Sequence, residues 1–138
     1  GHKPTGEAWT VGIERPAANQ YNQPELETAI RLEDASVVTS GNYRKYYERD
    51  GVRYSHTIDP ATGQPVRHSL LSVSVVSRKA WYADAMATAF MVMGLERSLQ
   101  FIDDHSENPD IQAVFFIYDQ DGEYHTLATP AFQQLIVK

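Results

Sequence analysis

The segment from Leu70 to Gly94 constrains the fold more than any other part of the chain. Its first part, LLSVSVVS, alternates in the period of two that predicts a β-strand over residues 70–77. Its second part, WYADAMATAFMVMG, is an apolar run that predicts a helix from about Ala80 to Met93, ended by Gly94. A helix that is apolar on every side is a buried helix. The fold must therefore place a buried helix directly after a strand.

The rest of the chain contains mainly hairpin signals. Asp50-Gly51 lies between two aromatic-rich runs, and DQDG separates AVFFIY from EYHTLAT, so each predicts an antiparallel hairpin. LERSLQFIDDH, directly after Gly94, predicts an amphipathic helix. Residues 8–14 and 26–32 predict strands, and FQQLIV predicts a last short strand or a terminal helical turn. These elements together indicate an α+β fold with antiparallel strands.

Length and charge narrow the class of protein. The 138 residues, 42% of them apolar, suffice for one domain over residues 1–138. The net charge of −6 argues against a nucleic-acid partner, which generally requires a basic face. The absence of cysteine excludes thiol catalysis and thiolate metal sites. No apolar run reaches the length of a membrane span, and we find no signal peptide at the start of this chain.

Asp84 and Thr88 are the polar residues inside the apolar helix. Their spacing of four places both side chains on one helix face. A structural explanation is that Asp84 caps the helix or meets an Arg, while Thr88 bonds back to a carbonyl. A functional explanation is a hard cation such as Mg²⁺, which binds carboxylate and hydroxyl oxygens. On spacing alone, the structural explanation is the commoner one.

His56 is the best candidate for a general base among the five histidines. It lies in YSHTIDP, three residues before Asp59, whose following proline fixes a turn. A carboxylate near an imidazole can set its tautomer and raise its basicity, although a lone histidine is more often structural. Ser40-Gly41 in VVTSGNY could offer hydroxyl and amide groups to a phosphate, or it could be an ordinary turn.

Three motifs follow one another in a specific order: TSG-x-Y-R from Thr39, SH-x-x-DP-x-TG-x-P from Ser55, and ADA-x-ATA from Ala83. Together with AWTVGIERP upstream, this ordered set resembles the ApbE family of flavin transferases. The resemblance implies a T-fold-like architecture, with antiparallel strands and a buried helix pair. It also implies an Mg²⁺-dependent enzyme that takes FAD as substrate, transfers FMN to a Thr or Ser hydroxyl of an acceptor protein and releases AMP.

The resemblance also implies roles for individual residues. Asp84 and Thr88 would be metal ligands, and His56 would deprotonate the acceptor hydroxyl. Asp59 would support the His56 loop. The residues expected along the flavin nucleotide are Thr39, Ser40, Gly41 and Tyr43.

The resemblance also implies which partners the protein has and where it is located. The acceptors would be flavoprotein subunits of membrane electron-transport complexes, and full-length members would be periplasmic lipoproteins of the inner membrane. This chain matches the C-terminal part of such a protein, so by itself it could be inactive and could self-associate through exposed apolar surfaces. Two alternatives remain: an Mg²⁺-dependent FAD diphosphatase that uses water as acceptor, and a non-catalytic flavin-binding module.

Overall fold

The structure is a computed structural model and describes residues 1–16, 25–43, 46–50 and 52–137. Gly51, half of the predicted Asp50-Gly51 turn, lies outside these ranges, but the hairpin around it is confirmed by the pairing of its two strands. The strands are β1 (Trp9–Glu14), β2 (Leu26–Leu32), β3 (Ser36–Gly41), β4 (Tyr46–Arg49), β5 (Val52–Ser55), β6 (Ile58–Asp59), β7 (Gln64–Pro65), β8 (Leu70–Ser77), β9 (Ala113–Gln120) and β10 (Glu123–Ala128). The helices are α1 (Ala80–Met93), α2 (Leu95–Asp104) and α3 (Pro130–Gln133), with a 3-10 turn at Pro109–Ile111.

A four-stranded antiparallel sheet, in the order β10-β9-β8-β3, is the centre of the fold. Helices α1 and α2 cover one face of this sheet, where Val73 and Val75 of β8 pack against Ala87 and Phe90 of α1. The hairpin β1-β2 and helix α3 cover the other face, where Val76 packs in a cluster with other apolar side chains: Ile13, Ile30, Leu32, Phe115, Ile117 and Phe132. The predicted α+β class with antiparallel strands is confirmed.

Strand β8 is therefore buried on both faces, including its serines. Ser74 lies opposite Thr39 in the β3–β8 ladder, and the two hydroxyl oxygens are 2.7 Å apart. Ser77 donates a hydrogen bond to Asp110 Oδ1 at 3.0 Å. Because each of these hydroxyl groups has a partner, the alternating polar positions are compatible with complete burial. The alternation in LLSVSVVS thus marks a strand between two layers, not a strand with one face in solvent.

Helix α1 has the predicted bounds, but the expectation that it is buried on every side is wrong. Its buried residues, Ala83, Ala87, Phe90 and Met91, form one face against the sheet. The opposite face is exposed and contains Trp81, Asp84, Ala85 and Thr88. Alanines make a helix apolar in composition without deciding which face is covered, so the composition of α1 overstates its burial. Asp84 consequently lies in solvent, where its charge carries no burial cost.

At the end of the chain, the short strand that the sequence favours is wrong, and the alternative of a terminal helical turn is confirmed. Residues Pro130–Gln133 form a helical turn, followed by a single bridge between Ile136 and Ile30 of β2. Pro130 occupies the first turn of this helix, where a missing N–H costs nothing. The turn carries Phe132 into the core, where its ring stacks on Phe115 with centroids 5.1 Å apart. Burial of this ring favours the helical turn over an extended strand.

Among the described residues, five large apolar side chains are exposed: Trp81 at 70%, Leu26 at 65%, Trp9 at 50%, Ile58 at 46% and Tyr124 at 41%. These are surfaces through which the chain could self-associate, which stays a prediction. In the described ranges, none of the helices has the length and apolar character that crossing a membrane would require.

Candidate active site

An open cavity of about 430 Å³ lies between β1, the end of β3, the segment after β5 and the C-terminal half of α1. Its described lining is rich in hydroxyl groups: Gly12, Glu14, Thr39, Ser40, Gly41, Tyr43, His56, Thr57, Thr88 and Met91. The cavity therefore joins side chains from all three sequence motifs, which are far apart along the chain.

The end of β3 forms one wall of the cavity. The Ser40 hydroxyl lies 3.3 Å from the Thr88 hydroxyl on α1. A Cβ atom on Gly41 would lie 2.7 Å from Cε1 of Tyr43, so only glycine lets the tyrosine ring lie this close to the strand. Burial raises the pKa of the Tyr43 phenol above its ordinary value near 10. The phenol is protonated at neutral pH with or without this shift, so Tyr43 contributes a hydroxyl group to the lining of the cavity.

His56 lies between two residues that fix its backbone. The hydroxyl oxygen of Ser55, a buried residue, accepts a hydrogen bond from the backbone N–H of Thr57 at 3.0 Å, which closes a tight turn around His56. The His56 side chain is exposed and lines the cavity. An exposed imidazole at the rim of a cavity can reach both a bound ligand and an incoming partner.

Asp59 stabilises the turn that follows. Its carboxylate accepts a hydrogen bond from the N–H of Ala61 at 2.9 Å, and its carbonyl accepts one from Gly63 at 2.8 Å. Gly63 adopts a positive φ of 67°, which the turn requires. These bonds place Asp59 in the framework of the turn at residues 59–63, and its support of His56 stays a prediction. Its influence on the tautomer of His56 stays a prediction.

Asp84 and Thr88 lie one turn apart on the exposed face of α1. Asp84 is not a helix cap, because the helix begins after Lys79 and Asp84 is its fifth residue. No group of three or more His, Cys, Asp or Glu side chains converges anywhere in the described ranges. The pair nevertheless fits Mg²⁺, which usually takes one or two protein carboxylates and completes its shell with water and substrate phosphates.

The charge of the cavity is consistent with such a cation. Among the described residues that line it there is no Lys or Arg, and Glu14 contributes a carboxylate. A diphosphate bound here would meet hydroxyl groups but no cationic side chain from this described lining. Hydroxyl groups and a carboxylate are oxygen donors that a divalent cation can share with phosphate groups, so this lining is compatible with a metal ion held beside it at Asp84 and Thr88.

The structure brings together six of the eight predicted site residues. Thr39, Ser40, Gly41, Tyr43, His56 and Thr88 line the cavity, whereas Asp59 and Asp84 lie outside its lining. Sequence reasoning missed four lining residues: Gly12, Glu14, Thr57 and Met91. The alternation of β1 offered a signal for two of them, since Gly12 and Glu14 share the strand face opposite to the buried Ile13.

Comparison with known proteins agrees with the motifs. The sequence profile of the ApbE family matches residues 1–115. The FAD:protein FMN transferase of Vibrio cholerae is 37% identical over 133 residues, a match that covers 96% of this chain and 37% of that protein. The enzyme of the same name from Treponema pallidum is 43% identical over 112 residues, covering 81% of this chain and 29% of that protein.

Solved structures extend the match to three dimensions. The crystal structure of the Pseudomonas stutzeri flavinyl transferase ApbE in its apo form superposes with a TM-score of 0.75 at 38% identity. That alignment covers 98% of this chain and 39% of the solved one. The chain thus spans about two fifths or less of the length of the relatives it matches. Because sequence profile, relatives and fold agree, the chain belongs to the ApbE family.

Proposed function

We propose that this chain is part of an Mg²⁺-dependent enzyme that transfers FMN from FAD to a Thr or Ser hydroxyl of an acceptor protein and releases AMP. The observation that carries the proposal is the cavity in which the TSG, SH and ADA motifs meet at Ser40, His56 and Thr88. The names of the relatives, FAD:protein FMN transferase, support the same reaction.

His56 is the proposed base. In the transfer, the acceptor hydroxyl oxygen forms a bond to the FMN phosphorus, and the bond from this phosphorus to the bridging oxygen breaks. AMP leaves with the bridging oxygen, and His56 takes the hydroxyl proton at an imidazole nitrogen. The exposure of His56 at the cavity rim supports this role, because a protein acceptor must approach from solvent. General-base catalysis of this kind contributes about 10²–10⁴-fold to a rate.

Asp84 and Thr88 are the proposed metal ligands. When bound, Mg²⁺ neutralises charge on the diphosphate and orients it for displacement. The carboxylate and the hydroxyl group would hold the ion on the side of the cavity formed by α1. The lack of Lys and Arg in the described lining supports the need for this ion.

The end of β3 is proposed to bind the flavin nucleotide. Thr39, Ser40 and Tyr43 offer hydroxyl groups to it, and Gly41 leaves room for the tyrosine ring beside the strand. The Thr39 hydroxyl already contacts Ser74 at 2.7 Å, so its orientation is fixed before any ligand binds. A preorganised set of hydroxyl groups lowers the entropic cost of binding.

For the intact protein we infer the partners and location that the family resemblance implies: flavoprotein subunits of membrane electron-transport complexes as acceptors, and a lipid anchor in the periplasm. Fractionation of cells that produce the full-length protein, with labelling of the lipid, tests the location. Recovery of the protein from the cytoplasm without lipid would contradict it.

Mass spectrometry of an acceptor peptide tests the reaction. The peptide, FAD and Mg²⁺ are incubated with this chain and, in parallel, with the full-length protein that contains it. We expect a mass gain equal to FMN on the acceptor Thr, and its loss in His56→Ala. As a matched control, His105→Ala changes an exposed histidine at the end of α2 and leaves transfer intact.

The same incubation separates the alternatives. Release of AMP and free FMN in the absence of any acceptor would favour the diphosphatase. Tight FAD binding without turnover, unchanged when Mg²⁺ is removed, would favour the binding module. No transfer by the full-length protein, together with unchanged activity after His56→Ala, would overturn the proposal.

A further inference from the structure

His68 connects the start of β8 to the end of α1. The backbone N–H of Leu70 donates a hydrogen bond to His68 Nδ1 at 3.2 Å. Since Nδ1 is thus an acceptor, the ring proton lies on Nε2, which donates to the carbonyl oxygen of Met91 at 2.6 Å. This carbonyl is one of the last four in α1, which lack partners within the helix because the helix ends at Met93. His68 therefore replaces a missing helical hydrogen bond.

Through Leu70, His68 is also connected to the cavity wall formed by the end of β3. Leu70, which donates to His68, accepts a hydrogen bond from the side-chain amide of Asn42 at 3.0 Å. Asn42 lies between the lining residues Gly41 and Tyr43, and Met91 is itself a lining residue. A continuous series of hydrogen bonds therefore runs from one wall, through Leu70 and His68, to the other wall.

The ring of His68 is also held by packing. A Cβ atom on Gly94 would lie 3.1 Å from Cδ2 of His68, so the ring rests against the backbone where α1 ends. Gly94 has a positive φ of 79°. The close contact and the two hydrogen bonds allow the ring only one arrangement, with one nitrogen toward β8 and the other toward α1.

We propose that His68 is a positioning residue for the active site. By holding the Met91 carbonyl, it sets the distance between α1 and the end of β3, and so keeps the Thr88 hydroxyl beside that of Ser40. His68 touches neither nucleotide nor acceptor in this proposal, which rests on the proposed function. Its effect passes through the backbone of α1 to Thr88, one turn before Met91.

Two substitutions in the full-length protein distinguish the effects of the two hydrogen bonds of His68, because each removes a different one. In His68→Asn the side-chain oxygen can replace Nδ1 and accept from Leu70, but the side chain is too short to reach Met91. In His68→Gln the amide nitrogen can replace Nε2 and donate to Met91, while the acceptor for Leu70 is lost. Each variant loses one hydrogen bond, so both are expected to show similar small decreases in Tm.

The activities of the two variants are expected to differ. A displacement of about 1 Å in a catalytic site can cost about 100-fold in rate, so we expect His68→Asn to lower kcat for FMN transfer at least about tenfold. His68→Gln should restore kcat to within about threefold of the parent, with KM for FAD little changed in both. Equal kcat values in the parent and His68→Asn, or equal losses in both variants, would overturn the proposal.

Hydrogen exchange gives a readout that does not need activity. Without FAD or Mg²⁺, amides in the last turn of α1 should exchange faster in His68→Asn than in His68→Gln and the parent. Equal exchange in both variants would overturn the positioning role even if they differ in activity. If the parent transfers no FMN, the proposed function fails, and the exchange comparison still decides whether His68 holds α1.

Discussion

The hydroxyl oxygens of Ser40 and Thr88 lie 3.3 Å apart, although 48 positions separate the two residues in the chain. Their proximity follows from the topology, because β3 pairs with β8 and α1 packs back over both strands. The contact joins the second residue of TSG-x-Y-R to the sixth residue of ADA-x-ATA. A nucleotide bound along β3 would consequently meet a metal bound on α1.

Thr88→Val removes the hydroxyl group and keeps the shape of the side chain. We expect apparent Mg²⁺ affinity in the presence of FAD to fall about tenfold, within the range seen when a site loses one supporting ligand interaction. Stability should change by less than about 0.5 kcal/mol, because Thr88 is exposed. Isothermal titration of Mg²⁺ measures the affinity. Thr126→Val, an exposed substitution on β10, is the control, and equal affinities in the two variants would contradict the assignment.

Asp84→Asn neutralises the proposed ligand that carries the charge. We expect Mg²⁺-dependent transfer to fall further than in Thr88→Val, because a hard cation depends mainly on carboxylate oxygens. Unfolding should be nearly unaffected, since Asp84 is exposed and does not cap the helix. Asp103→Asn removes an equally exposed charge from α2 and should leave transfer unchanged. If both variants transfer FMN at the parent rate across a series of Mg²⁺ concentrations, Asp84 is not a ligand.

The elements of the fold were predictable where local pattern and tertiary environment agree. Helix α1, strand β8 and the hairpin of β9 and β10 all have the expected type, because period and turn residues act locally. The turn at Pro130–Gln133 was not predicted as the main outcome. Its conformation depends on the stacking of Phe132 on Phe115, a contact that no local pattern encodes.

The identity of the residues in the candidate site was easier to predict than their exposure and contacts. Ordered motifs identified Ser40, His56 and Thr88, which the structure brings to one cavity. The exposure of Asp84 was not foreseen, because the composition of α1 does not show which face the sheet covers. The role of His68 was also hidden, since its partner Met91 lies 23 residues away and uses only its carbonyl group.

Gly41→Ala should displace Tyr43 from the cavity wall. The new Cβ atom would lie 2.7 Å from the ring and 3.2 Å from the carbonyl oxygen of Leu71, so the ring must move. We expect a loss of about 1–3 kcal/mol in unfolding free energy and weaker FAD binding. Denaturant unfolding and flavin fluorescence measure the two effects.

Gly12→Ala is the matched control for this substitution. Gly12 lines the same cavity, but its new Cβ atom would meet the end of the Leu26 side chain, which is 65% exposed and can rotate away. We therefore expect a smaller loss of stability than in Gly41→Ala. Equal losses in both variants would mean that the contact between Gly41 and Tyr43 is not the cause.

Asp110 contacts Ser77 and Lys79 at the junction of β8 and α1. Asp110→Asn should therefore change the pH dependence of the protein's stability. The Lys79 ammonium group, 3.1 Å from Asp110 Oδ2, holds the pKa of this carboxyl below its ordinary value of 3.8, with help from the Ser77 hydroxyl. A carboxyl whose pKa is lowered by folding stabilises the native state above the ordinary value and loses that effect as pH falls through the native pKa. Thermal unfolding should show a lower Tm for Asp110→Asn at about pH 7, and a difference that narrows as pH falls below about 3.8. A Tm difference between the parent and Asp110→Asn that stays constant from neutral to acid pH would show that the stabilisation does not depend on the charge of Asp110, and would contradict the prediction.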